Sequence, residues 1–259
     1  MLEFQDIKDH YPKQLQGFDR AILREYLQCK ILQGVYMSIQ ASQLSFLGGT
    51  ALRIIFGNQR FSEDIDLDNF GLTWVEFEAM IQSVERFLER EGFEVEINLI
   101  EKGAYHCILR FPRILYQQNL TPIRQEKIRI QIDTASQGYE YQPEILILNR
   151  FEIFSELRVT PLNILLSQKI YTAVNRKRPM GRDFYDITFL LGRTKPDYGF
   201  LEQKMDIASP GALKKIVLER MAAYDFEALA DDVAPFLFDN SHINRVRLFK
   251  KFWQQADLG

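Results

Sequence analysis

Three aspartates at alternate positions are the residues of this sequence best suited to chemistry. The segment SEDIDLD places Asp64, Asp66 and Asp68 two residues apart, so in a strand their side chains share one face. Ile65 and Leu67 then lie on the other face and can enter a core. Three like charges on one face repel, and a hard cation such as Mg²⁺ would neutralise them. The simpler alternative is an exposed edge strand with an acidic solvent face.

A glycine turn precedes this acidic segment. Gly48, Gly49 and Thr50 follow a short apolar run, and a turn of this kind can present backbone N–H groups to phosphate. The turn and the carboxylates together indicate a site for a metal ion and a triphosphate.

A fourth aspartate ends a strictly alternating segment, KIRIQID. The three isoleucines of this strand take one face, which leaves Asp133 on the polar face with Arg129 and Gln131. If this strand lies beside the acidic one, Asp133 joins the same cluster and can help to bind two metal ions. Taken alone, an aspartate at a strand end is more often a turn former.

A lysine lies at the edge of the apolar stripe of a later helix. Thr160 and Pro161 are predicted as the N-cap and first residue of this helix, and Lys169 either extends to water or faces an enclosed anion such as a triphosphate. The next helix begins near Arg182, Asp183 and Asp186. These two aspartates, three residues apart, share a helix face and could simply complement the helix N-terminus.

Composition indicates a globular protein without a membrane partner. The chain has 259 residues, of which 46% are hydrophobic and 26% charged. We expect it to be cytoplasmic, because it has no apolar run of membrane-spanning length and no signal peptide. The net charge of −3 argues against general coating of nucleic acid, so RNA would be bound locally. Basic groups at residues 176–182 and 245–251 are candidates, although such groups are more often solvated helix ends or faces than nucleic-acid contacts. Two cysteines and three dispersed histidines do not suggest a zinc site.

The pattern of elements predicts an α+β fold. Helices are expected at residues 17–39, 50–56 and 74–91, with a hairpin around Gly103. We predict a mixed β-sheet domain with flanking helices at residues 1–155 and a C-terminal helical domain at residues 156–259. In this division the helical domain contributes Lys169 and the Arg-Asp element to the site.

These motifs, taken in order, resemble those of the AbiEii/AbiGii family of nucleotidyltransferases. GGTALR, RFSEDIDLD, the strand ending in Asp133 and the series from Lys169 to Asp186 carry the resemblance, which spans roughly residues 40 to 192. The family includes the MenT-like toxins and belongs to the DNA polymerase β-like superfamily. The resemblance implies the minimal nucleotidyltransferase sheet, two Mg²⁺ ions, an NTP as donor and often a separately encoded antitoxin.

The resemblance also implies roles for individual residues. Gly48, Gly49 and Thr50 would form the triphosphate turn, Asp64 and Asp66 the metal pair, and Asp133 the third carboxylate. Lys169 would hold donor phosphates, with Arg182, Asp183 and Asp186 as the element that positions Lys169 or the base. Asp68 departs from the family pattern, and a metal pair of Asp66 and Asp68 is the alternative.

The expected reaction is transfer of NMP from an NTP to an acceptor hydroxyl, with RNA, and in particular the tRNA 3′ end, as the acceptor that the resemblance implies. Two other functions remain open at this stage. The chain could transfer NMP to a protein hydroxyl, or it could bind nucleotide or RNA without turnover. The full set of carboxylates favours an enzyme, because binding alone does not require so many repelling charges.

Overall fold

The computed structural model describes residues 1–259 and divides into two compact units. The first unit comprises Met1–Gly57, Phe61–Gly138 and Pro143–Val159, and the second comprises Asn58–Arg60, Tyr139–Gln142 and Thr160–Gly259. Two short segments from the first part of the sequence thus belong to the second unit. The functional domain division at residues 155 and 156 stays a prediction.

Seven β-strands of the first unit form one mixed sheet in the order β3-β4-β5-β2-β1-β7-β6. The strands are β1 Leu44–Leu47, β2 Ile65–Asn69, β3 Glu96–Glu101, β4 Tyr105–Pro112, β5 Lys127–Ala135, β6 Glu144–Arg150 and β7 Ile153–Val159. β2 is parallel to β5 and β1 is parallel to β7, whereas the remaining neighbours are antiparallel. The hairpin around Gly103 is β3–β4, and the predicted α+β class with a mixed sheet is confirmed.

Two long helices cover one face of this sheet. The helices of the first unit are α1 Phe4–Asp9, α2 Asp19–Tyr36, α3 Gly48–Ile54, α4 Trp74–Arg90 and α5 Ile114–Gln117. α2 packs against α4 and β7, and α4 also contacts β3 and β4. A capping box fixes the start of α4, where the Thr73 hydroxyl accepts the Glu76 N–H and the Glu76 carboxylate accepts the Thr73 N–H. The buried side of β5, formed by Ile128, Ile130 and Ile132, belongs to this core.

The second unit is mainly helical. Its helices are α6 Leu162–Asn175, α7 Gly181–Leu191, α8 Tyr198–Met205, α9 Pro210–Met221, α10 Phe226–Val233, α11 Asn244–Arg247 and α12 Phe249–Gln255. α6 packs against α7 and α8, and α10 packs against α7.

The predicted starts of two helices are wrong by one or two residues. Pro161 is the N-cap of α6 because its backbone is still extended, with ψ at 149°, so Thr160 cannot cap this helix. The Thr160 hydroxyl lies instead 2.8 Å from the hydroxyl of Tyr141. Similarly, α3 begins at Gly48 and not at Thr50, so the whole glycine turn is part of its first turn.

Candidate active site

The register of β2 and β5 brings carboxylates from separate parts of the sequence together. Asp66 and Asp133 are directly paired on these parallel strands, so their side chains lie on the same face of the sheet. Asp64 immediately precedes β2 and is two residues from Asp66, which places it on that face as well. Three of the predicted site residues therefore share one face of two neighbouring interior strands.

Asp64 is in an environment that opposes its negative charge. Its half-buried position raises the pKa of its carboxyl, and the charges of Asp133 and Glu63 raise it further. The charge of Arg129 and a hydrogen bond from the Gln131 backbone act in the opposite direction but are outweighed. Asp64 forms no salt bridge, so a bound cation would relieve an unfavourable concentration of negative charge.

Gly48 allows the Asp66 carboxylate to approach the backbone of the glycine turn. A Cβ at position 48 would lie 2.0 Å from Oδ2 of Asp66 and 2.9 Å from its Cβ, well inside van der Waals contact. Gly48 also has a φ of +80°, which L-residues other than glycine rarely adopt. Both the backbone and the position of Asp66 therefore require glycine here.

Thr50 attaches the turn to the acidic strand. Its side chain is fully buried, and its hydroxyl donates a hydrogen bond to the backbone carbonyl of Asp64. Gly49 is buried beside it. The hydroxyl that the resemblance assigns to triphosphate binding is thus engaged within the protein, where it fixes the turn against the start of β2.

Asp133 is held by two neighbours that the sequence did not identify as site residues. His106 Nδ1 lies 2.6 Å from Oδ1 of Asp133, and the side-chain amide of Gln131 donates to the same oxygen at 2.7 Å. His106 is the cross-strand partner of Asp133 on β4. The alternation in YHCILRF places His106 on the polar face, but only the strand register shows that it faces Asp133.

Asp68 has a different role from the other aspartates of β2. Its side chain is 1% exposed, and Oδ1 accepts a hydrogen bond of 2.8 Å from the backbone N–H of Gln137. This bond anchors the segment that follows β5. The contact supports a structural role for Asp68 and favours Asp64 as the partner of Asp66.

A second cluster of predicted site residues lies within the second unit. Lys169 Nζ is 2.9 Å from Oδ2 of Asp186 and 3.5 Å from Oδ1 of Asp183. Arg176 Nη1 lies 2.9 Å from the other oxygen of Asp183. The two aspartates therefore hold the ammonium group of Lys169 in place, and neither simply caps the N-terminus of α7.

Asp186 is the centre of this cluster. It is fully buried and accepts hydrogen bonds from Arg60 Nε at 2.7 Å, Arg60 Nη2 at 2.6 Å and the Asn58 amide at 2.9 Å. Burial raises the pKa of Asp186, but the charges of Arg60 and then Lys169 outweigh burial and lower it to about 2. Sequence reasoning noted Arg60 only as part of a motif and gave it no partner.

The cluster retains an excess of positive charge. Lys169, Arg60 and Arg176 supply three cations against the two carboxylates of Asp183 and Asp186. Arg182, the first residue of the Arg-Asp element, forms no ion pair, and its guanidinium contacts only the sulfur of Met180 at 3.7 Å. A group with this balance can attract phosphate.

The side chains of the carboxylate group match the chemistry of Mg²⁺ although they do not form a ready-made metal site. No three His, Cys, Asp or Glu side chains in the chain are arranged so that they could hold a metal ion. Carboxylate oxygens are nevertheless the ligands that Mg²⁺ prefers, and burial together with the charges of Asp133 and Glu63 raises the pKa of the Asp64 carboxyl. The residues present therefore fit the cation that the motif implies.

Comparison with known protein families identifies the class of this protein. The family described as nucleotidyl transferase AbiEii toxin, type IV TA system, matches residues 30–242. The chain belongs to the AbiEii family. It is therefore a nucleotidyltransferase of a toxin–antitoxin type, and the resemblance and enzyme class predicted from the sequence are confirmed. A comparison with curated proteins finds no significant match.

Solved structures support the fold of this AbiEii protein. JHP933 from Helicobacter pylori has a TM-score of 0.58 at 15% identity, over 91% of this chain and 90% of that one. A second H. pylori structure, titled "putative nucleotidyltransferase", has a TM-score of 0.56 at 16% identity, over 91% and 96% of the two chains. At this identity the likeness concerns the fold alone. None of the helices combines the length and apolar character needed to cross a membrane.

Proposed function

We propose that this AbiEii protein is a cytoplasmic Mg²⁺-dependent enzyme that transfers NMP from an NTP to the 3′ hydroxyl of an RNA, with tRNA as the expected acceptor. The pairing of Asp66 with Asp133, above a glycine that leaves room for Asp66, is the observation that carries the proposal. Nucleotidyl transfer is a displacement at phosphorus. Carboxylates on one face of a sheet can bind the metal ions that stabilise the attacking and the leaving oxygen in such a reaction.

In the proposed reaction the acceptor hydroxyl attacks the α-phosphorus of the NTP. The new bond joins the acceptor oxygen to that phosphorus, the acceptor proton passes to the Asp133 carboxylate, the bond to the β-phosphate oxygen breaks, and pyrophosphate leaves. Asp64, Asp66 and Asp133 would hold Mg²⁺, which when bound neutralises triphosphate charge and favours the ionised acceptor oxygen. Asp133, whose Oδ1 is engaged by His106 and Gln131, would offer its other oxygen to the reacting groups.

The residues of the turn and of the second cluster would bind the donor. The N–H groups at Gly48 and Gly49 would receive triphosphate oxygens, while Thr50 keeps the turn attached to β2. Lys169, held by Asp183 and Asp186, and the unpaired Arg182 would offset phosphate charge. The family description implies a cognate antitoxin, which we propose is encoded separately.

The test is transfer of label from each α-³²P-labelled NTP to separate pools of RNA and of protein. We expect Mg²⁺-dependent labelling of RNA, and transfer lower by several orders of magnitude in Asp66→Asn with an unchanged melting temperature. Label in the protein pool alone would replace this proposal with protein modification. A failure of the wild-type chain to label either pool would contradict it.

Two further variants separate the two assignments of the metal pair. Asp64→Asn and Asp68→Asn remove the same charge from positions that flank Asp66. We expect Asp64→Asn to abolish transfer, and Asp68→Asn to retain it at temperatures where the protein is folded, because Asp68 is occupied by the Gln137 N–H. The opposite pattern would assign the metal to Asp66 and Asp68.

A further inference from the structure

The polar face of the sheet continues beyond the carboxylates across β5, β4 and β3. Strand pairing places side chains of alternate residues side by side on this face. The side chains of β4 and β5 on this face, in order of increasing distance along the strands from Asp133, are His106, Gln131, Ile108, Arg129, Arg110 and Lys127. All of them are exposed or half-buried, so this face is accessible to a ligand.

Two arginines on this face are directly opposite each other. Arg110 of β4 and Arg129 of β5 are cross-strand partners, an arrangement in which like charges destabilise a sheet. Arg110 forms no salt bridge, although its partner on β3 is Glu96. Glu96 is bound instead by Lys127, with N–O distances of 2.6 and 2.8 Å. Three cations against one carboxylate leave two positive charges here, on a protein whose net charge is −3.

A continuous chain of contacts connects these arginines to the candidate catalytic carboxylate. The Arg129 guanidinium donates to the side-chain oxygen of Gln131, and Gln131 donates to Asp133. Arg129 and Asp133 are four positions apart on β5, which is roughly 13 Å at ~3.3 Å per residue. A strand that kept the ~3.4 Å rise of a stacked helix would place roughly four nucleotides over this distance, and an unstacked strand, which is more extended, would place fewer.

We propose that this face binds the single-stranded 3′ end of the acceptor RNA, with Arg110 and Arg129 contacting backbone phosphates a few nucleotides before the reacting hydroxyl. His106 and Ile108, which lie between the arginines and Asp133, offer flat and apolar surfaces for unstacked bases. The inference rests on the proposed nucleotidyl transfer and names its acceptor surface. The repulsion between the two arginines is relieved when phosphate binds between them.

The experiment measures binding of a fluorescent single-stranded RNA by anisotropy across a salt series, without NTP. Each phosphate contact releases ~0.7 counterion from a single strand, which makes it worth ~5-fold in affinity at 0.1 M salt. The variant Arg110→Gln/Arg129→Gln should therefore bind ~25-fold more weakly, with a salt slope lower by ~1.4. Arg110→Lys/Arg129→Lys, which keeps both charges, should retain most of the affinity.

Lys250→Gln/Lys251→Gln is the matched control, because it removes the same charge from two exposed positions of α12. It should bind RNA as the wild type does. The melting temperature of the arginine variant should be equal or higher because the repulsion is gone. Equal losses of RNA affinity in the arginine and lysine double variants would overturn the assignment of this surface to RNA binding. A wild-type chain that binds no RNA would do the same.

The result is separable from that of the proposed function. If the wild type labels RNA but the arginine variant binds RNA normally, the transfer reaction stands and the acceptor surface is wrong. If RNA binding depends on the arginines as described but no NMP is transferred, the surface stands and the proposed reaction is wrong. The inference would also be contradicted if the arginine substitutions weakened the binding of duplex RNA more than the binding of single-stranded RNA.

Discussion

Replacing Gly48 by alanine tests the geometry of the carboxylate group with a single methyl. The new Cβ would lie 2.0 Å from Oδ2 of Asp66, so that oxygen must move by roughly 1.4 Å to reach ordinary van der Waals contact. Because the Cβ of Asp66 is also only 2.9 Å away, a rotation of the carboxylate alone does not relieve the clash. Misplacement of a catalytic group by ~1 Å can cost ~100-fold in rate, and we expect at least this loss in kcat for Gly48→Ala.

Gly57→Ala is a matched control for the backbone component. Gly57 has a φ of +73°, close to the +80° of Gly48, but a Cβ there would meet no atom within 4 Å. Both variants should lose ~1–2 kcal/mol of stability from the left-handed backbone, and Gly48→Ala a further ~0.5–1.5 kcal/mol from the displaced Asp66 side chain.

The assay is single-turnover NMP transfer, with thermal unfolding measured on the same preparations. Rates should be compared at a temperature where both variants are fully folded, so that lost stability does not appear as lost activity. Gly57→Ala should transfer at nearly the wild-type rate. Equal rates for the two alanine variants would refute the idea that Asp66 must sit against the glycine turn.

Four further changes test the electrostatics of the two groups. Lys169→Ala should raise the KM for NTP by about tenfold or more, since a charge-assisted hydrogen bond is worth ~1.5–3 kcal/mol, and an unchanged KM would remove Lys169 from donor binding. The folded pKa of Asp186, about 2, lies below its ordinary value of 3.8, so its ionised form stabilises the fold above pH ~4. This contribution, on the order of 2–3 kcal/mol, should disappear as the pH falls towards 2, and acid unfolding of Asp186→Asn should show a smaller pH dependence than the wild type. Asp64→Asn should abolish transfer but raise the melting temperature. The reason is that burial and the charge of Asp133 both disfavour the ionised carboxylate of Asp64 and raise its pKa, so that removing the charge stabilises the fold. A lower melting temperature would contradict this. His106→Leu should lower kcat by ~10-fold with little change in the KM for NTP, because Asp133 loses one of two side-chain hydrogen-bond partners, and a loss confined to KM would indicate a different role.

The local structure of the site could be predicted from the sequence because it depends on the alternation of apolar and polar residues along each strand. Ile65 and Leu67 are buried on β2 as their spacing predicts, and Ile128, Ile130 and Ile132 are buried on β5. A period of two specifies which face each side chain takes, since a shift by one residue would expose the whole apolar set. The family match could also be anticipated, because it combines several short motifs in a fixed order.

The side-chain contacts between neighbouring strands, and between segments far apart in the sequence, could not be predicted in the same way. His106 meets Asp133 only because β4 and β5 pair in one particular register, which the hydrophobic pattern restricts but does not specify. Arg60 meets Asp186 across 126 residues of sequence, and no local periodicity connects such positions. The wrong start of α6 has a local cause, since the extended backbone of Pro161 serves as the N-cap without a side-chain hydrogen bond.

The aspartates of the two units differ in how their charge is balanced, and this difference supports the different roles that we propose for them. Asp183 and Asp186 are buried and each lies against cations of the protein itself, so their charge is already used to fix Lys169. Asp64 has no cation in contact, and its pKa is raised because burial and Asp133 both disfavour its ionised form. A carboxylate that the fold leaves uncompensated is destabilising until something outside the chain neutralises it, whereas a compensated one stabilises the fold continuously. The first kind is suited to the metal binding that we propose for Asp64, and the second kind to holding Lys169, the proposed donor-binding lysine, in place before substrate arrives.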